Sequence, residues 1–215
     1  VSGFTEEQLE KIAADSALKK AARKQTQRLA DWSVGFDWPV TGRISGVFGS
    51  QRILNGEPKR PHSGLDIAAP TGTPIRAPAP GIVRLAEDDM YFEGGLVLLD
   101  HGHWLESAFL HMSRIDVEPG QRVEKGDIIG AVGATGRVTG PHLHWSLKSA
   151  GELVDPQLTL DPFASSSCFH GVTSVVAGNC GFALAPTRAS DRDAVKKIFA
   201  RSEAGSALKR SMDST

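Results

Sequence analysis

The sequence predicts a mainly β domain of antiparallel sheets, with a helical leader before it and an irregular, partly helical tail after it. From residue 36 onward, short apolar runs such as Gly81–Leu85 and Leu96–Leu99 are separated by Gly, Pro, Asp and Asn. This pattern is typical of strands joined by tight turns. Residues Thr5–Trp32 instead contain no Gly or Pro and are rich in Ala, Lys, Glu, Gln and Leu, which favours a helix.

The predicted strands are short, and hairpin connections are expected between several of them. They are Ile44–Phe48, Leu65–Ala68, Pro74–Arg76, Gly81–Ala86, Leu96–Asp100, Trp104–Leu110, Ile128–Val132 and Leu143–Leu147.

The leader helix has a recognisable start, because Thr5 followed three residues later by Gln8 matches a capping box. We expect it to pack loosely on the main domain as a linker, or else to cover a cleft. A narrow apolar stripe would provide the contact face, formed by Leu9, Ile12, Ala13, Ser16 and Ala17.

Composition limits the kinds of partner. The 215 residues are 40% hydrophobic, and 24 Lys and Arg stand against 25 Asp and Glu for a net charge of −1. This balance argues against nucleic-acid binding or a polybasic membrane surface. No apolar run reaches the roughly 20 residues that span a bilayer. Cys168 and Cys180 lie close together near the C-terminus, outside the segment 62–144 that contains six of the seven histidines, so they neither frame the fold nor join a metal site there.

The residues with the clearest chemistry are His62, Asp66, His142 and His144. Alternate side chains of a strand point to the same face, so an extended 141–147 segment sends both histidines of His-Leu-His into one cavity. The spacing of His62 and Asp66 also fits one face of a helix. However, Gly64 between them, with prolines on either side, favours strand or loop.

These residues, together with Phe109-Leu-His111, resemble the lysostaphin-type zinc endopeptidases that cut peptidoglycan cross-links. The resemblance extends from about residue 36 to 160 and includes three flanking phrases, at 39–49, 66–75 and 130–136. It implies antiparallel sheets around an open groove. It also implies that His62, Asp66 and His144 bind Zn²⁺ and that His111 and His142 are catalytic residues.

Zinc chemistry agrees with this ligand set. Catalytic zinc commonly takes three N or O ligands from the protein and leaves a fourth position for water. The chain has no His-Glu-x-x-His sequence, so the usual glutamate base is missing and a histidine must transfer the proton. Of His111 and His142, one would serve as base and the other would stabilise the oxyanion. The residues alone do not assign these two roles.

Other polar residues are expected to be structural. His101 and His103 are predicted in a solvated hairpin turn, and Arg52, Asn55 and Arg60 in a surface loop that leads to His62. The repeated glycines at 130, 133, 136 and 140 lack the Gly-Lys-Ser/Thr of a phosphate-binding loop and indicate turns.

Two other functions compete with that of an endopeptidase. Segments 79–83 and 118–130 also resemble hairpins of biotinyl and lipoyl carrier domains, but Lys125 lacks the sequence context of a modified lysine. A non-catalytic relative that binds cell wall or activates an amidase would lose metal ligands, whereas this chain retains them.

The resemblance implies a partner and a location. The partner is the peptide cross-link of peptidoglycan, with a D-alanyl-diaminopimelate bond as the first expectation, and the location is the periplasm or outer envelope. The sequence begins at Val1 without an export signal, so we interpret it as a mature or trimmed chain. Oligomeric state is left open.

The predicted organisation has three parts: a leader at 1–33, the endopeptidase domain at 34–162 and a tail at 163–215. Within the tail, residues 171–186 resemble a short stretch of N-acyl-D-amino-acid deacylases, and Cys180 matches a position near the metal in that family. A tail of about 50 residues is too short to form the barrel of that deacylase family. We therefore expect a fused or frame-shifted gene fragment, or a chimera, with its junction near Ser165–Ser167 and with partial disorder after about Phe163.

Overall fold

The computed structural model describes residues 3–51, 53–54 and 56–160. Within them lie two α-helices, one 3₁₀ helix and thirteen strands. The helical elements are α1 Glu6–Ala22, a 3₁₀ turn at Asp31–Val34 and α2 Gln157–Leu160. The strands are β1 Arg43–Gly46, β2 Ile53–Leu54, β3 Glu57–Pro58, β4 Leu65–Ala68, β5 Pro74–Arg76, β6 Gly81–Met90, β7 Gly94–Asp100, β8 Leu105–Met112, β9 Arg114–Ile115, β10 Arg122–Val123, β11 Ile128–Ala131, β12 His142–Ser149 and β13 Glu152–Val154.

The strands form three antiparallel sheets, which confirms the predicted fold class. The largest has eight strands in the order β1-β4-β12-β8-β7-β6-β10, with β13 also paired to β12. A second sheet has the order β5-β11-β9, and β2 pairs with β3 as a separate two-stranded sheet just before His62. Strands β4 and β12, which carry the predicted ligands Asp66 and His144, are therefore direct neighbours.

The main core fills the space between the large sheet and the three-stranded sheet. Leu65, Phe109 and Trp145 of the large sheet are fully buried in one cluster with Ile75 and Ile129 of the smaller one. Burial of large side chains like these contributes roughly 1.5–3 kcal/mol each. The core therefore holds β4 and β12 firmly behind the ligand residues.

Strand β7 is buried at every residue because both of its faces are covered. Val97 and Leu99 join the main core, while Leu96 and Leu98 belong to a second cluster on the opposite face. Ala22, the last residue of α1, packs against that second cluster. The leader helix thus covers the outer face of the large sheet.

Helix α1 begins as predicted and then packs differently. Gln8 N donates to Thr5 Oγ1 while Thr5 N donates to Gln8 Oε1, which completes the capping box. The expected apolar stripe was wrong, since Leu9 is 53% exposed whereas Asp15 is the buried residue of the helix. The helix instead contacts the main domain through the face that contains residues 11, 15 and 19, because the polar side chains there form hydrogen bonds and ion pairs with it.

Those contacts connect α1 to the end of β6 and to the turn between β6 and β7. Asp15 Oδ2 accepts a hydrogen bond from Tyr91 N at 2.7 Å. Lys19 forms an ion pair with Glu93, and Lys11 forms one with Asp89. A helix docked by a buried carboxylate is fixed in position, in contrast to the loosely packed linker that the sequence suggested.

Most predicted strands match within a few residues, and β4 and β5 match fully. The main difference is β6, which continues to Met90 through Glu87, Asp88 and Asp89. These acidic residues disfavour a strand by propensity, but Glu87 and Met90 pair with β7 on either side of an irregularity at Asp88 and Asp89.

Candidate metal centre and active site

The three predicted metal ligands meet at one point. His144 of β12 lies directly opposite Asp66 of β4 in the antiparallel register. His62 precedes β4 and is held by two backbone hydrogen bonds, from His62 N to Ser50 O and from Gly49 N to His62 O, both of 2.9 Å. One ligand atom from each of the three residues lies within 4.8 Å of the others.

The distances within this cluster are short. Asp66 Oδ1 lies 2.7 Å from His144 Nδ1 and 3.0 Å from His62 Nε2, and the two ring nitrogens are 3.1 Å apart. The other nitrogen of His62 donates to the carbonyl oxygen of Val47 at 3.0 Å, which fixes the ring and leaves the Nε2 lone pair facing the cluster.

The donor set fits a zinc ion. Lone pairs of His62 Nε2, His144 Nδ1 and Asp66 Oδ1 that face one another repel unless a proton or cation lies between them. Two imidazoles and one carboxylate are ligands that zinc commonly takes at catalytic sites, where it keeps one position open.

Asp66 is held in its anionic form. Its partial burial raises the pKa of the carboxyl, but the His144 and His62 rings beside it outweigh this effect and keep the pKa well below its usual range. An ionised carboxylate at neutral pH is the form that binds a metal ion.

His111 and His142 lie beside the ligand cluster. Their ring centroids are 5.0 Å apart, and the rings of His111 and His144 are 6.1 Å apart. His142 Nε2 is 3.7 Å from Asp66 Oδ1. All five site residues predicted from the sequence are therefore close together in the structure.

Backbone contacts fix the tautomers of both extra histidines. His111 Nδ1 donates to Thr135 O at 3.0 Å, and His142 Nδ1 donates to Gly140 O at 2.9 Å. A carbonyl oxygen only accepts, so each Nδ1 carries a proton and each Nε2 of the neutral rings offers a lone pair.

His111 has two unusual properties. Its φ is +67°, a region that residues other than glycine rarely adopt and that is associated with functional sites. Burial, together with the nearby His142, lowers its pKa to about 4. At neutral pH the His111 ring is therefore uncharged.

Glycine is required where β4 begins. A Cβ atom at Gly64 would lie 2.5 Å from Trp145 O and 2.8 Å from His144 Nε2. The backbone of this segment therefore passes close to the His144 ring, and any side chain there would push against it.

Behind the ligands lies a buried network that the sequence analysis missed. Trp145 Nε1 donates to Ser107 Oγ at 3.2 Å, Ser107 Oγ donates to His101 Nε2 at 2.8 Å, and His101 Nδ1 donates to Pro80 O at 2.7 Å. His101 was predicted in a solvated turn but is fully buried. The available signal was its position just after the apolar run Leu96–Leu99 of β7, with only Asp100 between them.

The remaining predicted polar residues have less to do with the site. His103 is exposed in the predicted turn, with Nε2 2.8 Å from Arg28 O. Arg60 is exposed in the loop before His62. Arg52 and Asn55 of that loop lie outside the described residues.

The antiparallel sheets and the His/Asp cluster define the protein as a metallopeptidase-type domain, and comparison with known proteins identifies its family. The model of Peptidase family M23 matches residues 60–156. Residues 60–156 therefore belong to the M23, or lysostaphin-type, family.

Individual relatives agree with this membership. The peptidoglycan DD-endopeptidase ShyA of Vibrio cholerae is 42% identical over 126 residues, which are 58% of this chain and 29% of ShyA. A crystal structure described as peptidase M23 from Pseudomonas aeruginosa is 41% identical with a TM-score of 0.64, covering 74% of this chain and 65% of that one. A zinc-containing peptidase from Vibrio cholerae is 31% identical with a TM-score of 0.53, covering 56% and 38%.

The chain spans about three-tenths of the length of the curated relatives that it matches first. The family match ends at residue 156 and gives no support to the resemblance of the tail to deacylases. The tail, with Cys168, His170 and Cys180, lies outside the described residues. No helix in the part of the chain that the structure describes is long and apolar enough to cross a membrane.

Proposed function

We propose that the 34–162 domain is a zinc endopeptidase that hydrolyses peptide cross-links of bacterial peptidoglycan. His62, Asp66 and His144 are its metal ligands, and His111 and His142 are its catalytic residues. The observation that carries the proposal is the convergence of Asp66 Oδ1, His144 Nδ1 and His62 Nε2 with two further imidazoles beside them.

The chemistry that a bound zinc ion supplies is a lower pKa for a water molecule and polarisation of the scissile carbonyl. The protein supplies the proton transfers. His111, uncharged at neutral pH and with its Nε2 lone pair available, is suited to accept a proton from the attacking water. It can return that proton to the leaving amine.

His142 then takes the second role. When Nε2 carries a proton, its ring can donate a hydrogen bond to the oxyanion that develops on the scissile carbonyl. The bond from Nδ1 to Gly140 O orients the ring for this task. We thus assign the base to His111 and the oxyanion donor to His142, two roles that the sequence left open.

The D-alanyl-diaminopimelate bond is the proposed point of cleavage. ShyA is named a peptidoglycan DD-endopeptidase, and the phrase at 55–62 in this chain resembles Gram-negative members of the family. Such a substrate places the enzyme in the periplasm or outer envelope.

The test is digestion of purified cross-linked peptidoglycan, followed by separation of the muropeptides. The protein is used as prepared, after chelation, and after chelation with zinc restored. We expect cross-linked dimers to disappear, chelation to stop their loss and zinc to restore it. Mass analysis of the new termini identifies the bond.

Two variants separate metal binding from a general loss of structure. His144→Ala removes a ligand and should lose both zinc and activity, whereas His103→Gln changes an exposed histidine away from the cluster and should lose neither. If the zinc-loaded protein leaves all dimers intact, a non-catalytic role in cell-wall binding or amidase activation replaces the proposal.

A further inference from the structure

A groove of about 540 Å³ lies between the leader helix and the segment 135–137. Thr135 lines it, and the carbonyl oxygen of Thr135 accepts the hydrogen bond that orients His111. The lining of the groove includes Lys11, Asp88, Asp89, Thr135, Gly136 and Arg137. The groove is therefore connected to the catalytic site through Thr135, whereas none of the five site residues lines it.

The wall formed by residues 135–137 is fixed by close packing. Arg137 N donates to Phe92 O at 3.0 Å, and Gly95 N donates to Thr135 Oγ1 at 2.9 Å. Gly136 has φ +71°, and a Cβ atom there would lie 2.4 Å from Gly94 N. The Cα of Arg137 is thus held in one place relative to His111.

The charges along the groove are not equally available. Lys11 is engaged by Asp15 at 3.3 Å and by Asp89 at 3.6 Å. Among the residues that the structure describes, Arg137 has no carboxylate partner and no side-chain hydrogen bond. An exposed guanidinium on a rigid wall of a groove is well suited to bind a carboxylate with two parallel hydrogen bonds.

We propose that Arg137 is a substrate-binding residue that recognises a free carboxylate of the peptide stem beside the scissile bond. This inference rests on the proposed function, since a peptide of the cell-wall cross-link is the ligand. Cross-link peptides carry such carboxylates on their D-amino-acid ends and side chains. Arg137 would anchor one of them while the scissile amide lies at His111 and His142.

The experiment measures binding apart from hydrolysis. The probes are the tetrapeptide L-Ala–D-Glu–diaminopimelate–D-Ala and its fully amidated form, titrated by calorimetry into the zinc-loaded protein. We expect Arg137→Ala to weaken binding of the acid form about tenfold and Arg137→Lys to weaken it less, because a charge-assisted bond is lost or reduced. The amidated form should bind all three proteins equally.

Arg28→Ala is the matched control, since Arg28 is also exposed and has no carboxylate partner among the described residues, yet does not line the groove. It should bind both peptides as the unaltered protein does. Equal losses for acid and amidated peptides, or no measurable binding of the acid form to the unaltered protein, would overturn the carboxylate site.

The same proteins separate this inference from the proposed function. If the protein cleaves peptidoglycan but binds the acid and amidated peptides equally, the proposed role of Arg137 is wrong and the endopeptidase function stands. Arg137-dependent binding without cleavage keeps the carboxylate site and removes the endopeptidase.

Discussion

Asp66 and His144 lie directly opposite each other on β4 and β12, with Oδ1 and Nδ1 2.7 Å apart. Side chains of a strand alternate between faces, so a shift of one residue in this pairing would turn His144 away from Asp66. The buried neighbours Leu65 and Trp145, also paired across the two strands, set the register. The core therefore determines the geometry of the metal centre.

Substitution by Gln should distinguish the two catalytic histidines. Gln can donate a hydrogen bond to an oxyanion but cannot act as a base, so His111→Gln should lower kcat about 10²–10⁴-fold. His142→Gln should keep part of the oxyanion contact and lose less. Steady-state kinetics on a defined cross-linked peptide measures both, with zinc content as the control. The opposite ranking at equal zinc content would reverse the roles.

Gly64→Ala should weaken zinc binding. The new methyl group would lie 2.5 Å from Trp145 O and 2.8 Å from His144 Nε2, so the His144 ring or the β4 backbone must move. We expect a zinc affinity at least about tenfold lower and a stability loss of about 1–3 kcal/mol. Competition with a chelating dye measures the affinity.

The control for that experiment is Gly3→Ala, because a Cβ atom at Gly3 would meet nothing within 4 Å. An unchanged zinc affinity in Gly64→Ala would mean that the ligand cluster tolerates the displacement.

Asp15→Ala should loosen the leader helix. The change leaves Tyr91 N without its partner and removes the buried carboxylate, at a cost of about 1–3 kcal/mol. Urea denaturation and the rate of proteolysis within α1 report the loss. Glu10→Ala on the exposed side of the same helix should change neither, and equal behaviour of the two variants would show that Asp15 does not anchor the helix.

His101 should make the folded protein less stable as the pH becomes acidic. Burial lowers its pKa to about 4, whereas an ordinary histidine has a pKa near 6.5. The unfolded chain therefore binds a proton first as the pH falls. The contribution of neutral His101 to the free energy of unfolding is therefore fully present above about pH 6.5. It falls by about 3 kcal/mol as the pH drops toward 4.

His101→Gln should flatten that part of the pH profile, while His103→Gln, at an exposed position, should keep it. Chemical denaturation at several pH values, with chelator present to remove the effect of metal, measures the difference. Identical slopes in the unaltered protein and His101→Gln would contradict a neutral, buried His101.

The sequence by itself determined the local features. The period of two along β12 places His142 and His144 on one side, and Thr5 and Gln8 form the predicted cap. Residues 62–64 form a loop that leads into β4, in agreement with the strand or loop that Gly64 and the neighbouring prolines indicated. These features depend on residues close together in the chain, so local rules were sufficient.

Only the tertiary structure decided what each side chain faces. It paired β4 with β12, buried His101 against Ser107 and Pro80, and docked α1 through Asp15. It also directed Nε2 of His62 but Nδ1 of His144 into the cluster. Burial and ring orientation depend on strands that are far apart in the chain. Strand pairing and core packing bring these groups together, and no local sequence pattern records either of them.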